Sequence, residues 1–262
     1  MSATDFSFEP AYLVVAGLAA IAYGWYARAD HPGGRRIACF ALGVFLVAAP
    51  LNSPLETIAA HRLLLIHLLQ NALIADIAPL LVLLGLTPAM IAALNRHGGS
   101  RIRARYALPL WLTAWYGTHL AGFYDWALRL NWALNIEHAL LIAGGLLFWW
   151  PIVSGRLSTP AALAYLGTGF VTSSFLGLAL IFSSTPFYSF YEHAPRLWGF
   201  SAAKDQNLGG ILMSAEQTVV FFAALAYFLV RLLSEEEAAQ RAAEASASIR
   251  AAASSSAPPS KQ

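Results

Sequence analysis

A polar stripe crosses one of the most apolar stretches of the sequence. The segment from His61 to Pro88 reads HRLLLIHLLQNALIADIAPLLVLLGLTP, and its spacing places His67, Gln70 and Asn71 on one helix face. Asp76 lies about half a turn away from this stripe. Imidazole and amide groups at that depth need partners, so a membrane span that keeps them is a candidate functional site.

Three more histidines occur near the ends of apolar segments, on the side of the membrane that we predict to hold His67. They are His61, His119 and His138. Neutral imidazole is a common ligand for copper and zinc, and the single cysteine, Cys39, excludes a thiolate pair. We therefore expect His67, His119 and His138 to bind copper rather than structural zinc.

The last apolar segment adds further polar groups and a thioether. Asp205 and Gln206 stand at its start, and Met213 and Glu216 follow at helical spacing. Met213, whose thioether favours Cu(I), or Asn71 is the candidate for a fourth, weak ligand. A carboxylate such as Glu216, about two turns inside a span, requires a cation, a proton or a tight hydrogen bond.

Side chains that orient the ligands form a second group of candidates. Metal-bound histidines usually donate their other ring N–H to a neighbouring polar group. Gln70 and Glu137 are the first candidates for that role, and the set is completed by Asp205, Gln206 and Glu216.

The composition indicates the environment in which this chemistry takes place. The chain has 262 residues, of which 58% are hydrophobic and only 11% charged, and its mean hydropathy is +0.58. Soluble domains carry about 25% charged residues. The sequence therefore predicts an integral membrane protein of the all-α class, and it lacks the basic clusters with interleaved aromatics that nucleic-acid binding requires.

Seven apolar segments predict a bundle of seven transmembrane helices. The second and fourth are short for the roughly 20 residues that cross a hydrocarbon core. The predicted segments are residues 10–27, 37–51, 58–85, 107–122, 136–153, 160–182 and 208–232.

Basic residues predict the orientation of these spans, because cytoplasmic loops are enriched in Lys and Arg. Alternating the seven spans leaves Arg62, Arg129, Arg196 and Lys204 on one side. The other side holds Arg28, Arg35, Arg36, Arg96, Arg101, Arg103, Arg105, Arg156, Arg231, Arg241, Arg250 and Lys261. We therefore predict that the N-terminus faces outward and the C-terminus faces the cytoplasm.

The chain divides into two parts of different composition. Residues 1–233 are predicted to form the transmembrane domain, and residues 234–262 a cytoplasmic extension. In this extension EEEAAQRAAEASASIRAAA consists mainly of helix formers, whereas SSSAPPSKQ has nothing to bury and is predicted to be disordered.

Several motifs follow one another in an order that resembles the CtaG family of cytochrome c oxidase assembly proteins. They are HLLQN, APLLVLLGLTP, GTHLAGFYDWAL, IEH, FWWP and DQNLGGILM, within about residues 50–217. The residues that match the family's motif positions are His67, Gln70, His119, Glu137, His138, Asp205 and Gln206. Asn71 stands where the family's HMxQH motif has its second histidine, and Leu134 replaces a histidine four residues before His138.

The resemblance implies a membrane protein that helps to assemble the copper centre of a haem-copper oxidase. We predict a non-enzymatic assembly factor that binds copper, as Cu(I), near the periplasmic leaflet and delivers it to cytochrome c oxidase. The expected partners are an oxidase subunit, a periplasmic copper carrier and membrane lipid, and the expected location is the bacterial inner membrane. The long outer loop of residues 182–207, which is rich in aromatics, is the expected partner surface.

Three other functions are compatible with the same residues. The first is a metal-free structural or accessory subunit of a respiratory complex, with the polar cluster forming interhelical hydrogen bonds. The second is an electron-transfer subunit whose histidines bind haem, which an absorbance band would reveal. The third is a copper permease, although Asp76 is the one obvious polar candidate in the inner half of the spans.

Overall fold

The computed structural model describes Ser2 and residues 4–255, and no strand occurs among these residues, as predicted for the all-α class. Twelve α-helices were found in this part of the chain. They are α1 (Pro10–Asp30), α2 (Gly34–Leu51), α3 (Pro54–His61), α4 (Leu64–Ala72), α5 (Ala78–Gly85), α6 (Pro88–Arg96), α7 (Ala104–Thr118), α8 (Ala121–Ala127), α9 (Asn131–Val153), α10 (Thr159–Phe182), α11 (Ser189–His193) and α12 (Ala202–Ser255).

Six helical stretches of the described chain are long and apolar enough to cross a membrane. They are α1, α2, the continuous stretch Leu64–Gly85, α9, α10 and Ala202–Arg250. The Leu64–Gly85 stretch is the most buried of them, with 61% of its most apolar window inside the protein, against 6% for α1. The bundle is therefore built around the stretch that carries the polar stripe, and α1 exposes an apolar surface of the kind that lipid covers.

The fourth predicted span, residues 107–122, is not among these six stretches. It corresponds to α7, which has 15 residues and ends at Thr118. At about 1.5 Å per residue, α7 is only about 22 Å long, which is shorter than a hydrocarbon core of about 30 Å.

The third predicted span, residues 58–85, is wrong as a single helix. The chain leaves helical geometry at Arg62 and Leu63, and Leu63 is extended, with φ −134° and ψ 122°. The new helix α4 begins at Leu64 because a carboxylate from α12 binds its first amide groups, as described below. His61 therefore lies on a separate short helix and not on the helix of His67.

Close backbone approaches hold the long helices together. A Cβ atom added to Gly209 would lie 2.7 Å from the side chain of Leu68 in α4, and one added to Gly210 would lie 2.9 Å from Leu180 in α10. The Gly-Gly pair of α12 therefore permits close packing against α4 and α10. A Cβ atom at Gly145 of α9 would collide with the carbonyl oxygen of Ala75, so α9 packs directly on the backbone of the central stretch.

A π-helical segment, Leu73–Ile77, joins α4 to α5 within the central stretch. Segments of this kind occur mostly as single turns inside α-helices and frequently at functional sites. This one carries Asp76, which is fully buried.

One end of the bundle collects the candidate residues. Helices α4, α9 and α12 begin at this end and α7 finishes there, so His67, His138 and His119 all lie close to it. We call it the imidazole end. At the opposite end, α12 continues beyond the apolar part of the chain to Ser255; the predicted disordered segment SSSAPPSKQ lies outside the described residues from position 256 onward.

Candidate metal centre

A buried carboxylate lies at the centre of the site. The Oε1 atom of Glu137 accepts a hydrogen bond of 3.0 Å from the Nδ2 atom of Asn71 and lies 3.5 Å from the Nε2 atom of His67. All three side chains are essentially inaccessible to solvent. The second oxygen of Glu137, Oε2, has no hydrogen-bond partner among the described residues. The structure therefore brings His67 and Asn71 of the polar stripe to Glu137 of α9.

The contact between His67 and Tyr191 determines which ring nitrogen of His67 carries the proton. The hydroxyl group of Tyr191 donates its proton to the carbonyl oxygen of Ala59 at 2.5 Å and lies 2.9 Å from the Nδ1 atom of His67. Since that hydroxyl has only one proton to donate, Nδ1 of His67 must be the donor in this second bond. In a neutral His67 the Nε2 atom is therefore a bare lone pair that faces the carboxylate of Glu137.

His119 has the same arrangement. Its Nδ1 atom lies 2.8 Å from the carbonyl oxygen of Trp115, which can only accept, so Nδ1 carries the proton and Nε2 carries the lone pair. The Nε2 atoms of His67, His119 and His138 are all buried and have no hydrogen-bond partner among the described residues. Buried polar atoms rarely lack a hydrogen-bond partner, so these three nitrogens are candidates for binding a ligand.

The three imidazoles are near one another but not all in contact. The ring of His138 lies 5.7 Å from that of His67, centroid to centroid. Tyr124 lies 4.9 Å from His67 and 5.7 Å from His119. Within the residues that the structure describes, no group of three or more His, Cys, Asp or Glu side chains is placed to hold a metal ion.

The two candidates for a weak fourth ligand are both buried. Met213 is fully inaccessible and belongs to the same apolar cluster as Tyr124 and Tyr191. Asn71 keeps its Oδ1 atom without a partner while its Nδ2 atom binds Glu137. The amide oxygen, rather than the amide nitrogen, is therefore the atom of Asn71 that is available to a cation.

Gln70 has a different partner from the one that the sequence predicts. Its Nε2 atom donates to the carboxylate of Glu56 on α3, and it makes no hydrogen bond to a histidine. Burial raises the pKa of Glu56 to about 7, although the hydrogen bond from Gln70 favours the charged form. Gln70 thus connects the short helix α3 to the central stretch.

Asp205 and Gln206 act on the backbone near the site. The carboxylate of Asp205 accepts hydrogen bonds of 2.9 Å from the amides of Leu64 and Leu65, and pairs with Arg196 at 3.6 Å. Gln206 accepts from the amide of Phe187 at 2.7 Å. These two side chains fix the start of α4 and the loop after α10, and neither binds a histidine.

Sequence reasoning missed the aromatic cover of the site. The loop after α10 was predicted to be a partner surface, yet Tyr188 and Tyr191 are each only 1% exposed. Tyr188 donates to the carbonyl oxygen of His119 at 3.1 Å and stacks on Tyr124 at 4.2 Å. The run YSFYEH carried a signal, because tyrosines next to polar spans often bury the ring while the hydroxyl finds a partner.

Glu216 lies apart from this centre. It interacts electrostatically with Asp76 of the π-helical segment, and all four carboxylate oxygens of the two residues are buried without a hydrogen-bond partner in the described chain. The neighbouring Gln217 is fully buried with both polar side-chain atoms unpartnered. The sequence predicts that Glu216 requires a cation, a proton or a tight hydrogen bond. Since no hydrogen bond to Glu216 occurs among the described residues, a cation or a proton remains.

We expect the substitution Glu216→Gln to stabilise the protein. It replaces one of two buried carboxyl groups that have no hydrogen-bond partner in the described chain, at nearly constant shape. A gain of about 1 kcal/mol corresponds to a rise of about 2–4 °C in the unfolding midpoint for a chain of this size. Thermal unfolding in detergent measures this change, and Glu192→Gln, at an exposed glutamate of α11, is the matched control. A lower midpoint for Glu216→Gln would show that the carboxyl group is itself stabilising.

The fold and this buried centre define a class, a multi-span helical bundle with imidazoles, a carboxylate and tyrosines enclosed at one end. The family described as cytochrome c oxidase caa3 assembly factor (Caa3_CtaG) has a sequence model that matches residues 18–235. The chain therefore belongs to this family, and the resemblance drawn from its motifs is confirmed. No curated protein and no solved structure matches the chain significantly.

Proposed function

We propose that this assembly factor binds Cu(I) at the imidazole end and passes it to a subunit of cytochrome c oxidase. The observation that carries the proposal is the set of three buried Nε2 atoms, those of His67, His119 and His138, that lack hydrogen-bond partners. In two of them the other ring nitrogen is already a donor, which is the usual state of a metal-bound imidazole.

The charge balance of the centre also supports a cation. A bare Nε2 lone pair of His67 at 3.5 Å from the Oε1 atom of Glu137 is repulsive. Protonation of His67 removes the repulsion, but 3.5 Å is long for a charge-assisted hydrogen bond, which is usually about 2.7–2.9 Å. A monovalent copper ion bound to the imidazoles would instead neutralise the buried carboxylate.

Cargo transfer suits this arrangement better than permanent storage. The described residues contain no preformed group of three His, Cys, Asp or Glu side chains that could hold a metal ion, and Met213 and Asn71 would provide at most weak contacts. A site of this kind binds copper without holding it irreversibly. We place the site near the periplasmic leaflet of the bacterial inner membrane, where a periplasmic carrier can load it. In this orientation the N-terminus lies outside, and α7 is a short span in addition to the six long ones.

A metal-free accessory role is the second candidate function. The observation in its favour is that Glu137 already has two partners and that the described residues contain no assembled metal group. In this role the contacts of Glu137 with His67 and Asn71 fix the packing of α4 on α9. The protein would then accompany the oxidase during assembly without carrying copper.

One experiment separates the two functions. The purified protein in detergent is exposed to Cu(I) under reducing conditions, and its metal content and visible absorbance are then measured. About one copper per chain, with no haem band, supports the copper proposal. Folded protein without copper supports the accessory role, and a haem band supports the electron-transfer alternative. In cells that lack this chain, the copper content of the oxidase reports delivery.

We expect Tyr191→Phe to weaken copper binding about tenfold, because loss of a group that orients a metal-bound histidine typically reduces affinity 10- to 100-fold. The substitution removes the hydroxyl that fixes Nδ1 of His67. Tyr165→Phe is the matched control, since that buried hydroxyl donates to the carbonyl oxygen of Phe148 in the other apolar cluster. Competition with a Cu(I) chelator measures both affinities, and equal loss in the two variants would contradict the role of Tyr191.

A further inference from the structure

A cavity of about 640 Å³ opens at the imidazole end, outside the buried centre. His61 and Arg62 border it from the end of α3, and Arg129 borders it from the turn after α8. The opposite wall is formed by Phe190 and His193 of α11 and by Pro195. This volume lies within the range of about 300–1,000 Å³ that is usual for small-ligand pockets.

The cavity concentrates positive charge in a part of the chain that has little of it. Only four basic residues were assigned to this side of the membrane, and two of them, Arg62 and Arg129, border the cavity. Arg196 pairs with Asp205, and the ammonium group of Lys204 lies 5.1 Å from the ring centroid of Phe200. The two arginines of the cavity are joined there by the imidazoles of two histidines.

Arg62 already takes part in an interaction within the protein, and the acidic residues nearest to the lining in the sequence, Asp125 and Glu192, are not part of it. Asp125 accepts hydrogen bonds from the amide of Ser189 at 3.1 Å, from its hydroxyl at 2.6 Å and from the amide of Phe190 at 3.1 Å. Its carboxylate therefore fixes the start of α11. Glu192 is exposed on the same short helix and is not part of the lining.

We propose that this cavity binds a phosphate group, namely the headgroup of an anionic phospholipid at the membrane surface. Guanidinium groups present a planar fork of donors that matches phosphate oxygens. The apolar side chains of Phe190 and Pro195 give the glycerol and the first acyl carbons a surface to contact. Inorganic phosphate shares the recognised group but lacks these apolar parts.

Binding at this cavity would connect three separate segments of the chain. The bound phosphate bridges the end of α3, the turn after α8 and helix α11. Helix α11 also carries Tyr191, whose hydroxyl contacts His67. A headgroup in the cavity thus stabilises the cover of the buried centre, and this inference is independent of copper binding.

The test uses the full chain in nanodiscs of phosphatidylcholine alone or with phosphatidylglycerol. Thermal unfolding reports stabilisation by the bound lipid, because a ligand that binds only the folded state raises the midpoint. Native mass spectrometry reports which lipids stay bound after release from the disc. The test variant is Arg129→Gln, at an exposed residue outside the metal centre, and the control is Lys204→Gln, which removes one positive charge outside the cavity.

We expect phosphatidylglycerol to raise the midpoint and to be retained by the wild type and by Lys204→Gln. Arg129→Gln should retain it about fivefold less, which is the factor that one basic residue contributes near an anionic surface. Stabilisation by inorganic phosphate in phosphatidylcholine discs, with no preference for the lipid, would assign the pocket to free phosphate and overturn the headgroup. Equal retention of both lipids by all three proteins, without an effect of phosphate, would overturn the site.

Discussion

Replacement of His67 by alanine is expected to abolish copper binding while the protein remains folded. We expect copper content to fall from about one ion per chain to background, with a loss of affinity of more than about 100-fold. Loss of a group that only orients a metal-bound histidine typically reduces metal affinity 10- to 100-fold. We expect a larger loss here because the imidazole ligand itself is removed. Competition with a Cu(I) chelator, followed by metal analysis, measures the change.

His97→Ala is the matched control for this variant. His97 is exposed and follows α6 directly, and it does not belong to the imidazole end. Its replacement therefore removes one imidazole and leaves the buried centre unchanged. Thermal unfolding of both variants shows that the proteins are folded. The variants His119→Ala and His138→Ala extend the test to the other two nitrogens.

The outcome separates the two proposed functions. Equal copper content in the wild type and in folded His67→Ala protein would contradict the assignment of His67. If none of the three histidine variants changed the copper content, the paired His67 and Glu137 would be a structural contact, and the accessory role would be favoured.

The membrane helices were the most predictable part of the structure, because each depends on a local run of apolar residues. Six of the seven predicted spans correspond to stretches that are long and apolar enough to cross a membrane. The break before Leu64 was not predictable in this way. It depends on the carboxylate of Asp205, which comes from 141 positions further along the chain.

The candidate site shows the same division between local and distant information. Helical spacing placed His67 and Asn71 on one face, and the structure brings both to Glu137. Gln70 has the same spacing but binds Glu56, because α3 folds back against the central stretch. Tyr191 was missed because its contact with His67 joins residues 124 positions apart, and no periodicity in the sequence reports such a pair.

The second large effect is expected at Asp205, where replacement by alanine should destabilise the protein. The carboxylate is fully buried and accepts from the amides of Leu64 and Leu65 at the start of α4. A negative charge is favourable at a helix N-terminus, and its removal leaves two amide donors and Arg196 without their partner. We expect a loss of about 3 kcal/mol or more, which is the usual result of breaking a buried ion pair.

The same substitution should weaken the copper site in protein that is still folded. Arg196, the partner of Asp205, also donates to the carbonyl oxygen of Tyr191, so the loss of Asp205 loosens the residue that fixes His67. Asp205→Asn keeps one acceptor for the amides but removes the charge, and we expect it to lie between the wild type and Asp205→Ala in unfolding midpoint. Glu192→Ala, at an exposed acidic residue near the same end, is the control. If Asp205→Ala and Glu192→Ala unfold at the same temperature, Asp205 does not hold the start of α4.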